Sequence, residues 1–214
     1  HSDGYVINSG ASFNASGVTY VAWNWKAGTT SASNTNGTIT STVSVGATQG
    51  FSVVTYTGTG ANATVGHGLG VAPSMVIVKR RDTTSTWQVR HTSIAVASSI
   101  QLNSTAASAS ATTVWNSTAP TSTVFSIGTS TDVNASSGTY VAYCFSAVAG
   151  YSAFGSYTGN GSTDGTFVYT GFRPRWLLIR RTDAISDWIV IDTARDPNNV
   201  TERWLFPNDS IAEV

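Results

Sequence analysis

The chain has 214 residues, enough for one large β domain or for two of about 100 residues that each bury a core. Eleven basic residues balance eleven acidic ones and charged residues are only 10% of the chain, so no net field draws in nucleic acid or an anionic membrane surface. No apolar run approaches the ~20 residues that span a bilayer, and a polar fraction dominated by Ser, Thr, Asn and Gly beside many aromatics suits strands and tight turns better than helices.

Residues 1–28 carry two apolar stretches, Gly4-Tyr5-Val6-Ile7 and Thr19-Tyr20-Val21-Ala22-Trp23-Asn24-Trp25, both with the alternation of half-buried strands. No signal peptide is visible in the sequence, and His1 in place of an initiator Met leads us to expect a processed product or an excerpt of a longer chain. Residues 29–48 are a Thr/Ser/Asn run with Asn36-Gly37 inside it, read as a linker with a short hairpin and as the domain boundary. Residues 49–148 then hold about seven short strands: Phe51–Tyr56, Met75–Lys79, Trp87–His91, Ile100–Leu102, Val114–Trp115, Val124–Ile127 and Tyr140–Phe145. That count and turn density match an antiparallel sandwich. From residue 149 the order restarts with Phe154–Tyr157, Phe167–Tyr169, Trp176–Arg180 and Trp188–Asp192, passes a turn at Asp196-Pro197-Asn198-Asn199, and reaches Val214 without its two closing strands.

Two internal repeats explain this order. Tyr56-Thr57-Gly58, Pro73 and Trp87 recur as Tyr157-Thr158-Gly159, Pro174 and Trp188 at one constant offset of 101 (174−73, 188−87), with no gap across some thirty-five residues. Val124–Ile127 and Tyr140–Phe145 match Gly4–Ile7 and Tyr20–Trp25 at an offset of 120 (140−20). The opening segment therefore holds the two strands that the closing half lacks. A sheet missing two strands exposes an apolar groove and unpaired edges. Three explanations stand: residues 1–28 fold back onto 149–214 of the same chain, they complete a neighbour's domain in a head-to-tail polymer, or the chain is cut from a longer array. In the first two, Tyr5, Ile7, Tyr20, Ala22, Trp23 and Trp25 are the donor side chains.

Few residues suit catalysis. His67 in Gly66-His67-Gly68 is replaced by Val168 in the second copy and His91 by Asp192, which favours turn residues over a base. Cys144, the single cysteine, sits in an apolar strand as a buried inert thiol. Three scattered His and one Cys make no zinc site, and Asn160-Gly161-Ser162-Thr163-Asp164-Gly165 lacks the acidic density of a calcium loop. Gly66-His67-Gly68-Leu69-Gly70 has no Gly-Lys-Ser/Thr and so is no phosphate cradle. No cofactor is expected. Arg173, Arg175, Arg195 and Arg203 make the closing half locally basic, a candidate surface for acidic sugars or a partner's carboxylates, and the tryptophans could include a sugar-stacking platform. Asn-X-Ser/Thr triplets at Asn14, Asn62, Asn103, Asn116, Asn134 and Asn199 follow from composition.

The runs from Val65 to Lys79, from Trp115 to Ser122 and from Phe154 to Pro174, with Asp192-Thr193-Ala194-Arg195-Asp196-Pro197, closely resemble a repeated β domain of tail fibres and related virion proteins of marine tailed bacteriophages. The resemblance covers nearly all of the chain. It implies a structural or host-recognition role, a virion or extracellular location, and no catalytic residues.

The expected fold is all-β: two tandem antiparallel β-sandwich, jelly-roll-like repeats, the second completed by the N-terminal strands of the same or a neighbouring chain. The expected function is a non-enzymatic fibre protein that forms a homo-oligomer and touches host surface glycans, without nucleic-acid partners or membrane insertion. The alternative is a self-polymerising filament subunit joined by strand exchange. A polysaccharide-acting enzyme comes last, because no pair of carboxylates is placed for acid and base work.

Overall fold

A computed structural model describes residues 4–8, 10, 12–197 and 202–214. The first hairpin is β1 (Ala32–Asn34) with β2 (Ser41–Gly46), followed by one 3-10 turn (Ala47–Gln49) and β3 (Phe51–Thr57). After β4 (Ala63–Gly66), a second hairpin joins β5 (Met75–Arg80) to β6 (Trp87–His91), and β7 (Ser98–Gln101) and β8 (Ala109–Ser110) extend it. The single-turn helix α1 (Thr112–Trp115), β9 (Val124–Ile127), the helix α2 (Thr131–Asn134) and β10 (Thr139–Phe145) complete the first part. The second part contributes β11 (Trp176–Arg180) and β12 (Trp188–Asp192).

The main sheet is eight-stranded and antiparallel, in the order β1-β2-β3-β10-β5-β6-β7-β8. The last strand of the first part, β10, therefore lies inside the sheet, with Tyr140 opposite Tyr56 on one side and Arg80 on the other. Pro73 blocks a helix ahead of β5, and the β-branched run Val76-Ile77-Val78 leaves that strand apolar on both faces, which suits a strand covered from both sides.

One face carries Val54, Val76, Val78, Tyr140, Ala142 and Cys144. The small β4–β9 sheet covers it, with Val65 paired to Phe125, while Trp115 plugs one end at 1% exposure. The opposite face carries Met75, Ile77 and Val89 with Tyr143 and Phe145, and Leu178 and Trp188 of the β11–β12 hairpin pack on it. The Trp188 indole also donates to Gln101 O at 2.8 Å. The molecule is predominantly β and its sheets are antiparallel, as the alternation implied.

Several expectations need correction. Residues 29–48 are not a linker: β2 pairs along β3, and Ile39, Ser41 and Val43 are buried. Thr and Ser are read there as loop formers, but Thr is β-branched and the odd positions from Ile39 to Val43 give one inward face. Val114–Trp115 is a helical turn and not a strand, because Asn116 and Ser117 adopt positive φ values of 49° and 46° that turn the chain. Among the described residues of 1–28, no strand forms, so Tyr5, Ile7, Tyr20, Ala22, Trp23 and Trp25 lie in extended chain without a ladder. Residues 154–157 and 167–169 are likewise unpaired, and the closing half yields one hairpin with no closed sandwich around it. Backbone pairing needs a neighbouring strand at 4.7–4.9 Å, and no ladder is formed by these segments among the described residues. Asn198 and Asn199 of the expected turn lie outside the described residues; Asp196 N does donate back to Asp192 O at 3.3 Å.

Candidate functional site

The two halves share local structure even where they do not share strands. The β11–β12 register, Trp176 opposite Asp192 and Leu178 opposite Val190, is the β5–β6 register, Met75 opposite His91 and Ile77 opposite Val89, moved by 101 positions. Arg80–Asp82 and Arg181–Asp183 form the same short-range ion pair at 2.8 and 2.7 Å. His91 Nδ1 accepts from Ser93 N at 3.1 Å, and Asp192 Oδ1 accepts from Ala194 N at the same distance. The exchange of His for Asp therefore keeps the one property used, a side-chain acceptor that caps the turn.

The second repeat also continues where sequence reasoning lost it. Asn103 Oδ1 accepts from Trp87 N at 2.9 Å and Asn208 Oδ1 accepts from Trp188 N at 2.7 Å, an offset of 105 (208−103). Leu205 pairs with Val190 as Ile100 pairs with Val89, at the same 105 (205−100).

The N-terminal segment carries the turn that precedes β10. In the first repeat the Tyr140 hydroxyl accepts from Ala135 N at 2.7 Å and donates to Thr131 O at 2.8 Å, with Ser137 at φ 64°. In the opening segment the Tyr20 hydroxyl accepts from Ala15 N at 2.9 Å, with Gly17 at φ 75°, each residue 120 positions earlier. The turn thus forms although no strand follows it among the described residues of the opening segment. Glycine at 17 adopts this left-handed backbone without the strain that Ser137 bears.

Beyond that turn, the segment packs on the second repeat at Trp176 and Asp192. Trp25 meets Trp176 edge-on at 5.3 Å, Trp23 meets it at 6.4 Å, and the Trp23 indole donates to Asp192 Oδ2 at 3.2 Å. Trp23, Trp176 and Asp192, together with Val21, Ala22, Arg175, Thr193 and Ala194, line an open trough of about 440 Å³. Asp192 is its anchor. Arg195 Nε donates to Oδ2 at 2.7 Å, and Ala194 N and Arg195 N donate to Oδ1 at 3.1 Å each. Burial pushes the Asp192 carboxyl up, and the bonds from Arg195 and Trp23 outweigh it and hold the group below the usual carboxylate range.

Of the four arginines predicted as a surface, Arg175 is exposed and lines the trough beside Asp192, Arg195 binds Asp192 and Glu213, Arg203 reaches the same Glu213 at 3.4 Å, and Arg173 is exposed. Tyr5 and Ile7 are exposed, Tyr20 is 47% exposed, and Ala22 and Trp23 join the trough.

His67 and Cys144 are both held in the interior. His67 is fully buried, with Nε2 against Thr121 O at 3.1 Å and Nδ1 accepting from Leu69 N at 3.2 Å; burial lowers its pKa, so the ring stays neutral and joins two turns. Cys144 is buried and its thiol is pushed up to about 12 by burial, far from a thiolate. Asn134 is buried, accepts from Thr59 N at 2.7 Å and donates to Gly128 O at 2.8 Å, which closes that Asn-X-Ser triplet to modification. Asn199 lies outside the described residues. Among the described residues no cluster of His, Cys, Asp and Glu could hold a metal ion, and no helix is long and apolar enough to cross a membrane.

One family model, described as a domain of unknown function (DUF7483), matches residues 1–214. The chain belongs to that family. No curated protein and no solved structure matches it. The DUF7483 match covers the opening segment, the eight-stranded sheet and the closing half alike.

Proposed function

We propose that the chain is a non-enzymatic structural protein, of the tail-fibre type its sequence resembles, in which copies complete one another to build an exposed homo-oligomeric fibre. The observation that carries this reading is where apolar surface remains. Apart from Val71 and Val96, every large apolar side chain exposed among the described residues falls in 4–25 or in 151–214. Tyr5, Ile7 and Tyr20 are 62%, 45% and 47% exposed in the opening segment, and Phe167 and Tyr169 are 86% and 83% exposed in the closing half. A surface of this kind marks an association site.

The two surfaces match by position. Carrying the pairing of β10 across the two offsets puts residues 19–25 between 152–158 and β11, with Tyr20 opposite Tyr157 and Trp25 beside Trp176. Carrying the β4–β9 pairing puts Tyr5 opposite Thr166 and Ile7 opposite Asp164. Each large side chain buried this way contributes about 1.5–3 kcal/mol. Within one chain Trp23 and Trp25 pack on Trp176 of β11 while the side chains of residues 5–7 and 20–21 stay exposed, and a second copy is the partner we assign to bury them. The structural use of His67 and Cys144 supports a role without catalysis.

Light scattering and negative-stain imaging of the purified chain test the assembly. Fibres of uniform width are expected, and deletion of residues 1–25 leaves single subunits. A monomer whose residues 19–25 show amide-exchange protection as a strand of their own chain overturns the fibre.

A second feature favours contact with host surface glycans by the same protein. The trough sets the Trp23 and Trp176 rings beside Arg175 and Asp192, an apolar platform with a charged rim that suits a sugar ring. A glycan array with Trp176→Ala as control tests this, and binding unchanged in the variant removes the trough from the reading.

A further inference from the structure

Arg90 on β6 is the one arginine of the main sheet that is buried without a counter-charge. Its residue is 7% exposed, a single guanidinium bond runs to Ala95 O at 3.2 Å, and its Nε has no acceptor. Among the described residues no carboxylate lies within ion-pair distance of it; the pairs that form use Arg80, Arg181, Arg195 and Arg203. A guanidinium stays charged in a protein interior, and an unpaired buried charge is among the costliest features a fold can keep.

This side chain lines a cleft of about 130 Å³ together with Pro73, Ser74, Thr92 and Pro120. The hydroxyls of Ser74 and Thr92 supply neutral donors at its mouth, and Thr92 N is held by Ser74 O at 2.8 Å, which fixes the two walls. The volume suits a carboxylate and the atoms next to it.

The same position in the second repeat supports a ligand. Ser74 and Thr92 correspond to Arg175 and Thr193 at the offset of 101, and both of those line the larger trough. Arg90 itself corresponds to Ile191. The arginine thus stands at a different lining position in the two copies, Arg90 in one and Arg175 in the other, while the Thr is kept. Packing alone does not require an arginine at two unrelated positions around one hollow.

We propose that the cleft floored by Arg90 binds a carboxylate group, of the kind carried by an acidic sugar. A neighbouring copy's acidic side chain offers the same chemistry. The cleft is lined by none of residues 19–25, 152–158 or β11, so titration with the anions and deletion of residues 1–25 test this inference and the fibre reading separately.

The test measures thermal shift and titration calorimetry on the full chain with glucuronate, acetate and neutral glucose. Glucuronate stabilises the protein and glucose does not, and affinity for glucuronate falls about tenfold or more in Arg90→Met. Arg90→Met is expected to fold, since it replaces an unpaired charge by an apolar side chain of similar length. Ala119→Trp, which fills the mouth and leaves Arg90 intact, gives the same loss and covers the case in which the first variant misfolds. Glucuronate binding well above that of acetate assigns the site to a sugar. Equal weak binding of both, with an oligomer size that changes in Arg90→Met, assigns it to a neighbour's carboxylate. No response to either anion together with an unchanged oligomer, or an undiminished response in both variants, overturns the proposal.

Discussion

Trp25 packs edge-on against Phe145 with ring centroids 6.0 Å apart, and the two residues hold the same place in the two copies of the closing strand, 120 positions apart. A residue that meets its own equivalent is what an approximate two-fold relation produces. The contacts around it agree. Met75, Ile77 and Val89 of β5 and β6 share one cluster with Leu178 and Trp188, which stand on the matching strands β11 and β12. The like faces of the two repeats are turned toward each other, which leaves the opposite face of the second repeat, where Leu177 is 37% exposed, looking outward.

Trp25→Ala removes both the contact with Phe145 and the one with Trp176. Trp25 is 40% exposed, so the loss is smaller than for a sealed core aromatic, about 1–2 kcal/mol. Urea unfolding followed by the remaining Trp fluorescence reads it as a lower midpoint at unchanged slope, and an identical midpoint would mean that the segment does not rest on the hairpin.

Tyr140→Phe and Tyr20→Phe separate a turn that serves a sheet from one still waiting for it. Tyr140→Phe leaves Ala135 N and Thr131 O without their shared hydroxyl in a buried setting and costs about 1–3 kcal/mol. Tyr20→Phe at an exposed turn changes the stability of isolated subunits little, about 0.5 kcal/mol at most, but weakens assembly if residues 19–25 enter a sheet. Paired denaturation and sedimentation measurements check both, and equal stability losses in dilute solution would show that Tyr20 is already in a sheet.

Asp132 contributes to stability against acid. Burial pushes its carboxyl up, but Thr86 Oγ1 at 2.6 Å, Ser85 Oγ at 2.7 Å and Gln88 Nε2 at 2.9 Å donate to it, and the net pKa lies below the ordinary value. A carboxyl depressed in the folded state adds stability that is fully present above its unfolded pKa of about 3.9 and is lost as pH falls through the folded value. Asp132→Asn is therefore less stable than the parent at neutral pH and loses less on acidification below pH ~4. Parallel melts at neutral and acid pH measure this, and a constant difference between the two proteins would remove Asp132 from the account.

The repeats were legible because Pro73, Trp87 and the Tyr-Thr-Gly turn recur at one spacing, and the structure gives those positions the same register and the same turns. Offset counting stopped at Thr193 because four additional residues precede Leu205, so Leu205 and Asn208 are found only through the bonds they make. β2 was hidden by its Thr and Ser content, and β4 by Gly66 and Ala63, which read as loop until Phe125 and Ile127 lie opposite them. Arg90 had no signal at all. An arginine in a strand is ordinary, and only the absence of a nearby carboxylate in space makes it a candidate.

The placement of β10 sets the order in which the sheet can form. β3 and β5 stay apart with open edges until residue 145 has left the ribosome, while residues 19–25, made first, offer a strand of the same pattern. What separates the right strand from the early one is the position of Cys144, fully buried in the slot, where the early strand would bring Asn24. An amide sealed there without partners costs about 1–3 kcal/mol, enough to make the wrong insertion transient. Asn24→Cys should lift that penalty, and a slow refolding phase that grows in the variant is the expected sign; refolding kinetics identical to the parent would mean that nascent chains are sorted by something other than this one side chain.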